Sequence, residues 1–582
     1  MAKKTVFSRP TANESHSRKA FDRSYVNNLN FSAGMLVPTM CQFVFGHSHV
    51  RLNQRSFFRT ADVNKAAFPS LPMYTDYFYV PMHQILSNWN AFRSRTNDRF
   101  SSRLGNFSAL PNFNKSQLVT ALQSIIGNSS GDLQASEAIR LLDWLDYGWN
   151  HQQLRAQTNF SSTDFDDLNA VGSVTPLALC AYQKIYYDHY RNTAYEGNDV
   201  QAYNLDDLFT LSGDNEQLGT ISSTRLLKFL RLHNVNYKRD FLNTVYPSLN
   251  FISAAINSFS IYNTFVPASV VQAYDEFGTS SGISSPLFDG SAVNIGQIDK
   301  VYIGSQQSST YYQRPISTQA IRASFALEKL LRVSAFTPQH VKDQFQARFG
   351  YTPKSSNLHE SVRLGSFKNE IVIGEVTATA ASSNVTLGTI GGKGVGAADF
   401  ERTISYDVPE DGFIMALSYV LPTNTYDSCR VNQIHQQFQA EDWSLPEYEN
   451  LGLQPLYMKN IFNDRTGSTD TDTAQIARGN FLFGYQPRDM QYKASVSVNH
   501  GEFVKGRTME AWVLHGRWSV LQALARSPQA ASADYFKCTP SDIDEIFVDA
   551  YDGTPESDQF FGHIVNSFGC IQDKPILGIP KI

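Results

Sequence analysis

The sequence predicts a mainly β protein, a β-sandwich whose strands are separated by long, partly helical insertions. Strand-length segments rich in Val, Ile and aromatic residues recur along the chain and lie hundreds of residues apart, so their pairing is long-range. Helix-start signals fall between them. Stretches rich in Ser, Asn, Gly and Asp, with little periodicity, separate the blocks at about 96–175 and about 250–315. At 582 residues the chain is long enough for one core with large insertions or for several domains.

The strand candidates come in order. Tyr74 to Val80 is stopped by Pro81, and Glu370 to Thr379 and Phe413 to Val420 have strand length and composition. Phe400 to Val408 reads as extended. Gln491 to Val498 alternates apolar and polar residues, as a half-buried strand requires, and Met509 to Leu514 is a short candidate containing Trp512.

Thr175-Pro176 reads as an N-cap with proline at the first helical position, opening Leu177 to Tyr190. Thr337-Pro338 repeats that start, with Val341, Phe345 and Phe349 at four-residue spacing before Gly350. Thr318 to Leu331 and Lys115 to Ile126 complete the helix set. The two polar blocks read as surface excursions from a rigid scaffold.

Charge and cysteine usage narrow the function. Only 18% of residues are charged, below the roughly 25% of ordinary soluble proteins, which suits a surface used in contacts with neighbours. The net charge of −5 makes the whole chain no polyanion binder. Residues 1–24 differ: Lys3, Lys4, Arg9, Arg18, Lys19 and Arg23 stand against Glu14 and Asp22, a net +4. That segment reads as a flexible basic arm, with those six cations as candidate DNA contacts, and it lacks the apolar run of a signal peptide. Residues 25–582 are expected to form a single domain with insertions at about 96–175 and about 250–315. Cys41, Cys180, Cys429, Cys538 and Cys570 are odd in number and contain no CxxC pair, which fits reduced thiols. No apolar run reaches the length of a membrane span.

Four motifs resemble catalytic or metal-binding patterns and fail on context. Gly278 to Gly282 matches GxSxG, but Tyr274-Asp275-Glu276 precedes it where a buried strand belongs. His47-Ser48-His49 could put two imidazoles on one strand face, yet Asn53 and Gln54 stand where a hard third ligand is needed. The run Leu387 to Gly396 has Gly394 where a phosphate loop needs Ser or Thr after its lysine, so it reads as a flexible turn between strands or a loop allowing close approach of another backbone. The acidic clusters Asp164 to Asp167 and Asp470 to Asp472 complete no calcium loop. The expectation is no catalytic residue and no cofactor, with a structural divalent cation left open.

Four segments in order resemble the major capsid proteins of the microvirus family (Microviridae). They are Phe31 to Pro38 with Tyr77 to Pro81 and Trp89; Pro176 to Arg191; Arg348 to Tyr351 with Leu364-Gly365, the Gly388–Gly396 loop, Gly412 and Pro446-Glu447-Tyr448; and Tyr485, Tyr492-Lys493, Gly501 to Phe503 and Trp512. Pro176-Leu177-Ala178-Leu179-Cys180-Ala181-Tyr182-Gln183-Lys184-Ile185-Tyr186-Tyr187-Asp188-His189-Tyr190-Arg191 is the most telling match. Lys238 to Asn243 departs from the family's pattern, and Leu141 to Gly148 is similar to the gokushovirus-like or divergent gut and environmental branches.

The resemblance implies an eight-stranded antiparallel jelly roll with insertions, sixty copies forming a T=1 shell around circular single-stranded DNA. It implies virion localisation after assembly in the bacterial cytoplasm, and a three-fold protrusion, for which 250–315 is the candidate. Implied partners are other copies of the chain, the genome, phage scaffolding, DNA-pilot and small DNA-binding proteins, and a host receptor. The competing readings are a jelly-roll carbohydrate-binding protein or glycosidase, which needs two carboxylates flanking a cleft, and a non-viral protein cage.

Overall fold

The computed structural model describes residues 18–574 except 64–67, 69–70, 95–109, 127–128, 149–171, 213–214, 248–270, 275–299, 304–321, scattered positions in 323–339, 354–358, 378–389, 400–402, 447–451, 464–470 and 554. The chain divides into two compact units, one made of 1–247 with 353–582 and the other of 248–352.

The first unit is built on ten strands: β1 (Lys19–Asp22), β2 (Tyr25–Phe31), β3 (Val37–Val44), β4 (His49–Val63), β5 (Leu71–Pro81), β6 (Val362–Thr377), β7 (Ile390–Asp399), β8 (Ile404–Asp407), β9 (Gly412–Val420) and β10 (Phe560–Gln572). Their order is β1-β10-β4-β7-β6-β5-β9-β3, with β2 also beside β10 and β8 beside β4, all antiparallel. β6 turns the corner. Val362–Ile371 pairs with β5, and Val372–Thr377 pairs with β7. One long strand thus belongs to both layers, and the sheet curls on itself as a jelly roll does. The mainly β expectation holds.

Inside the curl, Met40, Val44, Val50, Leu52, Tyr77, Tyr79, Phe367, Ile414, Ala416 and Phe568 form one buried cluster contributed by both layers. The two layers differ on their outer sides. β5 and β9 are buried on both faces, so they read as near-continuous apolar runs. Phe78, Val80, Met415 and Leu417 face away from the inner cluster and join a larger one with helices α1 (Lys115–Gln123), α2 (Ser129–Trp144), α3 (Leu177–Ile185) and α4 (Ser223–Phe229). β4 instead alternates strictly, with Val50, Leu52 and Phe58 inside and Arg51, Arg55 and Arg59 exposed. The helices cover one layer and leave the other open.

The part of 96–175 that is described is therefore not a surface excursion. Leu118, Leu122, Leu141 and Leu142 are fully buried, each such side chain being worth about 1.5–3 kcal/mol. α1 is capped by Asn114, whose side chain accepts from the Gln117 amide while the Gln117 side chain accepts from that of Asn114.

The family-like helix starts at Leu177 as expected, but Pro176 and not Thr175 stands at the cap, with no side-chain cap bond. It continues as a wider π turn over Tyr186–Tyr190. Its polar residues are structural. Tyr182 donates to the Leu36 carbonyl at 3.0 Å, Gln183 to the Phe229 and Arg231 carbonyls, and Tyr190 to buried Asp76 at 2.8 Å.

Three expected elements are corrected. Gln491 to Val498 is not a strand: a helical turn occupies Met490–Lys493, and only Val498–Asn499 pairs, in parallel, with Tyr426–Asp427. Asp489 sits at φ 59°, which turns the chain away from extension, and Met490, Ala494 and Val496 pack on a third cluster around Phe483 and Tyr535. Met509 to Leu514 contains a 3-10 turn, Glu510–Trp512. The Glu502 carboxylate accepts from Thr508 Oγ1 at 2.8 Å and Glu510 from the Gly506 amide at 2.7 Å, local bonds that compete with a ladder.

The described part of the glycine-rich run, from Ile390 to Gly396, belongs to strand β7 and is not a turn. A Cβ at Gly394 would come within 2.4 Å of Thr60 Cγ2, so glycine permits close strand packing there.

In the second unit, Val271–Tyr274 pairs antiparallel with Lys300–Ile303. Helix α5 (Val341–Phe349) starts after His340, three residues beyond the expected Thr337-Pro338 start, and ends at Gly350 with φ 65°. Most of 250–315 and of the expected Thr318 to Leu331 helix lies outside the described residues.

Candidate nucleic-acid interface

The open layer presents one continuous outer face, fixed by register. On β4 the outward residues are Arg51, Asn53, Arg55, Phe57 and Arg59. Phe561 of β10 lies opposite Arg59, His563 opposite Phe57, and Val565 opposite Arg55. Asn30, Asn28 and Val26 of β2 continue those three rows on the far side of β10. Val395 of β7 lies opposite Arg59 on the other flank, and Val372 of β6 lies opposite Val395. Phe57 and Phe561 are 38% and 45% exposed, high for aromatic rings in the middle of a sheet. The Arg59 guanidinium lies 5.4 Å from the Phe57 ring centroid, within cation–π range.

Carboxylates sit at the margins. Asp62 is 3.5 Å from Lys393, Asp407 is 2.7 Å from His49, and Glu370 is on β6. Among the described residues, Arg51 and Arg59 have no carboxylate partner.

Of the six expected DNA-contacting cations, the three that are described, Arg18, Lys19 and Arg23, lie off this face. Lys3, Lys4 and Arg9 are outside the described residues. The Arg18 guanidinium donates to the His47 carbonyl and is 3.8 Å from Asp573. Lys19 is exposed and opens β1 opposite Gln572. Arg23 donates to the Phe43 carbonyl at 2.9 Å and to the Gln42 side chain, and lies over the Phe568 ring. From Lys19 onward the chain is sheet, because β1 and β2 continue the hydrogen-bonded edge of β10. Arg51, Arg55 and Arg59 match no binding motif, yet the sequence does carry a signal for them: arginine at every fourth position of an alternating segment, which places all three on one strand face.

The other sequence candidates have structural partners. His47 Nδ1 is 2.8 Å from Asp573. His49 faces Asp407 with Nδ1 and Ser405 with Nε2, so the two imidazoles do not converge. Gly278 to Gly282 and Asp164 to Asp167 lie outside the described residues, and Asp472 opens a short helix capped by Thr471. No cluster of three His, Cys, Asp or Glu able to hold a metal occurs among the described residues. The five cysteines are free thiols, and burial pushes Cys41 up to about 12, away from nucleophilic chemistry. No helix among the described residues is long and apolar enough to cross a membrane.

Two places gather side chains of the types that enzymes use. His515 Nδ1 is 3.0 Å from both Asp427 oxygens and its Nε2 is 3.0 Å from the Glu510 carbonyl, so neither ring nitrogen is left for a substrate. A cleft of about 520 Å³ is lined by Glu137, Asp534, Arg231, Lys537 and His233. Burial raises Glu137 to about 7 against the pull of Arg140 and Arg231. Lys537 is 2.6 Å from Glu196 and 3.6 Å from Asp534, an ion-pair network of mixed sign.

Comparison with known proteins fits a structural role. A family model described as "Capsid protein (F protein)" matches residues 168–560, more than half of the chain. "Capsid protein VP1" of Chlamydia phage 1 is 22% identical over 328 residues, covering 56% of this chain and 50% of that protein. The aligned part thus spans about half the length of that curated relative. The matched region runs from the α3 helix through the second unit and the β6–β9 strands to the start of β10, so the segments that resemble microvirus capsid proteins fall largely within it, and the chain belongs to the phage capsid protein (F protein) family.

Proposed function

We propose that this capsid protein assembles as sixty copies into a T=1 icosahedral shell around a circular single-stranded DNA genome. The observation that carries the reading is the family match across residues 168–560. A curled β layer backed by helices gives a stiff subunit, and its loops are free to specialise as contacts. Closed shells form through heterologous contacts that close by rotation, and permanent interfaces of this kind bury about 2,000 Å² or more. In this reading the insertion at about 250–315 supplies the three-fold protrusion, and surface loops serve host attachment. The basic residues before β1 meet the genome, and scaffolding, DNA-pilot and small DNA-binding proteins take part during assembly in the host cytoplasm.

Electron microscopy and sedimentation of the expressed full-length chain test it: uniform closed particles are expected, and only small oligomers would overturn it. Deleting residues 1–17, which spares β1, is expected to lower encapsidated DNA more than shell yield. Normal genome content in those particles would remove the arm from the reading.

The glycosidase alternative has one foothold, the cleft holding Glu137 with its weakened acidity and Asp534. Hydrolysis of chromogenic glycosides by wild type, abolished in Glu137→Gln, would favour it.

A further inference from the structure

We propose that the open face of β4 and β10 is a binding platform for single-stranded nucleic acid, with Phe57 and Phe561 stacking on bases and Arg51 and Arg59 meeting phosphates. The inference rests on the shell reading for its biological setting, but its physical basis is local.

Residues two apart on a strand face repeat at roughly 6.6–6.8 Å, so Arg51, Arg55 and Arg59 recur about every 13 Å along one line. Arg51 and Arg59 have no carboxylate partner among the described residues. Two guanidiniums are therefore available at the ends of that line.

Between Arg59 and the middle of the sheet, the Phe57 and Phe561 rings sit on neighbouring strands in adjacent rows, half-exposed. Aromatic rings on an open antiparallel sheet stack on unpaired bases, whatever their sequence, because every base has a π face. Next to the rings the face is polar: His563 lies opposite Phe57, Asn28 lies opposite His563, and Asn28 Oδ1 is 2.6 Å from His563 Nδ1. A duplex hides its base faces and cannot use the rings, so the chemistry selects single strands. Val372 and Val395 flank the platform as exposed apolar side chains, and contact with a neighbouring subunit is a separate outcome of the test.

The probe is a fluorescent 20-nucleotide oligo-dT, titrated with the full-length chain at concentrations where sedimentation shows unassembled subunits. Wild type is expected to bind it more tightly than a duplex of equal length. Phe57→Ala/Phe561→Ala is expected to lower affinity at least tenfold without changing the salt dependence, since stacking is uncharged. Arg51→Gln/Arg59→Gln is expected to reduce the slope of log K against log salt by about 1.4, roughly 0.7 for each phosphate no longer neutralised. Both pairs are exposed, so circular dichroism should show unchanged folding. No binding by wild type, or wild-type affinity and salt slope in both variants, overturns the proposal. Variants that bind oligo-dT normally but no longer form shells also overturn it and assign the face to the interface between copies. If wild-type chain binds oligo-dT as expected but never forms particles, the shell reading fails while the platform stands.

Discussion

Arg140 and Asp558 are 418 residues apart in the chain, and Arg140 Nη2 donates to Asp558 Oδ2 at 2.6 Å in the buried interior. The pair ties the insertion helix α2 to the residues that lead into β10. Asn30 and Ser32, at the end of β2, donate to the same carboxylate at 2.6 and 2.9 Å. Burial raises Asp558 to about 6 against the pull of Arg140 and of these hydrogen bonds.

Arg140→Met removes the cation and strands the carboxylate. The expected cost is about 3–5 kcal/mol in urea unfolding of the unassembled chain, because a buried charge without its partner is more expensive than no pair at all. An acid with a raised folded pKa loses stability as pH rises through the interval between its unfolded and folded values. The variant is therefore expected to be more damaged at pH 8 than at pH 5, and adding Asp558→Asn to recover part of the loss. Equal stability of Arg140→Met and wild type at pH 8 would contradict this role.

Gly34 and Gly148 share φ 76°, but only Gly34 is crowded. A Cβ at Gly34 would stand 2.1 Å from the Cys538 carbonyl oxygen, whereas none of the surroundings of Gly148 comes within 4 Å. Gly148→Ala is expected to cost only the backbone strain, about 1–2 kcal/mol. Gly34→Ala must also displace a backbone, and is expected to cost well over that or to yield no folded protein. Thermal melts of the two side by side decide it.

The Asp427–His515 pair sets a pH window. Burial pulls His515 down, but the hydrogen bond and charge of Asp427, with the Glu510 carbonyl, together raise it above 6.5. Burial raises Asp427, and hydrogen bonds from His515, the Lys505 amide and Asn499 more than offset that, holding it below 3.8. The His515 contribution is complete below pH 6.5 and is lost as pH rises through the raised folded value. The Asp427 contribution is complete above pH 3.8 and is lost as pH falls through the lowered one. Stability from the pair is thus greatest between about pH 4 and 6.5. In a His515→Gln variant the alkaline decline is expected to flatten; an unchanged pH profile would show that the pair contributes nothing.

Phe438 is 85% exposed on a loop fixed by Asp442, whose carboxylate accepts from the Phe438 and Gln439 amides at 3.0 Å each. Phe438→Ser is expected to change subunit stability by less than about 0.5 kcal/mol, as surface substitutions do. Shell yield is expected to fall, because an apolar ring held rigidly in solvent gains by being covered. Undiminished particle yield would leave that ring without a role in assembly.

The sequence by itself determined the strands that carry two-sided or one-sided burial. Tyr74 to Val80 and Phe413 to Val420 are apolar enough throughout to be central, and Pro176 to Arg191 is a helix whose tyrosines and glutamine find buried partners at Tyr182, Gln183 and Tyr190. Period and composition are local properties, so they survive without knowledge of neighbours. Tertiary structure alone decided the rest. Gln491 to Val498 has a strand's alternation but no strand to pair with along most of its length, and alternation cannot supply a partner. The Gly388–Gly396 run has a turn's composition, yet its described part is a strand because Thr60 and Ile371 leave no room for side chains at Gly394 and Gly396. The arginine and phenylalanine face follows the same logic: β4 alone shows which residues share a side, but only the helices packed over the opposite layer determine that this side stays open.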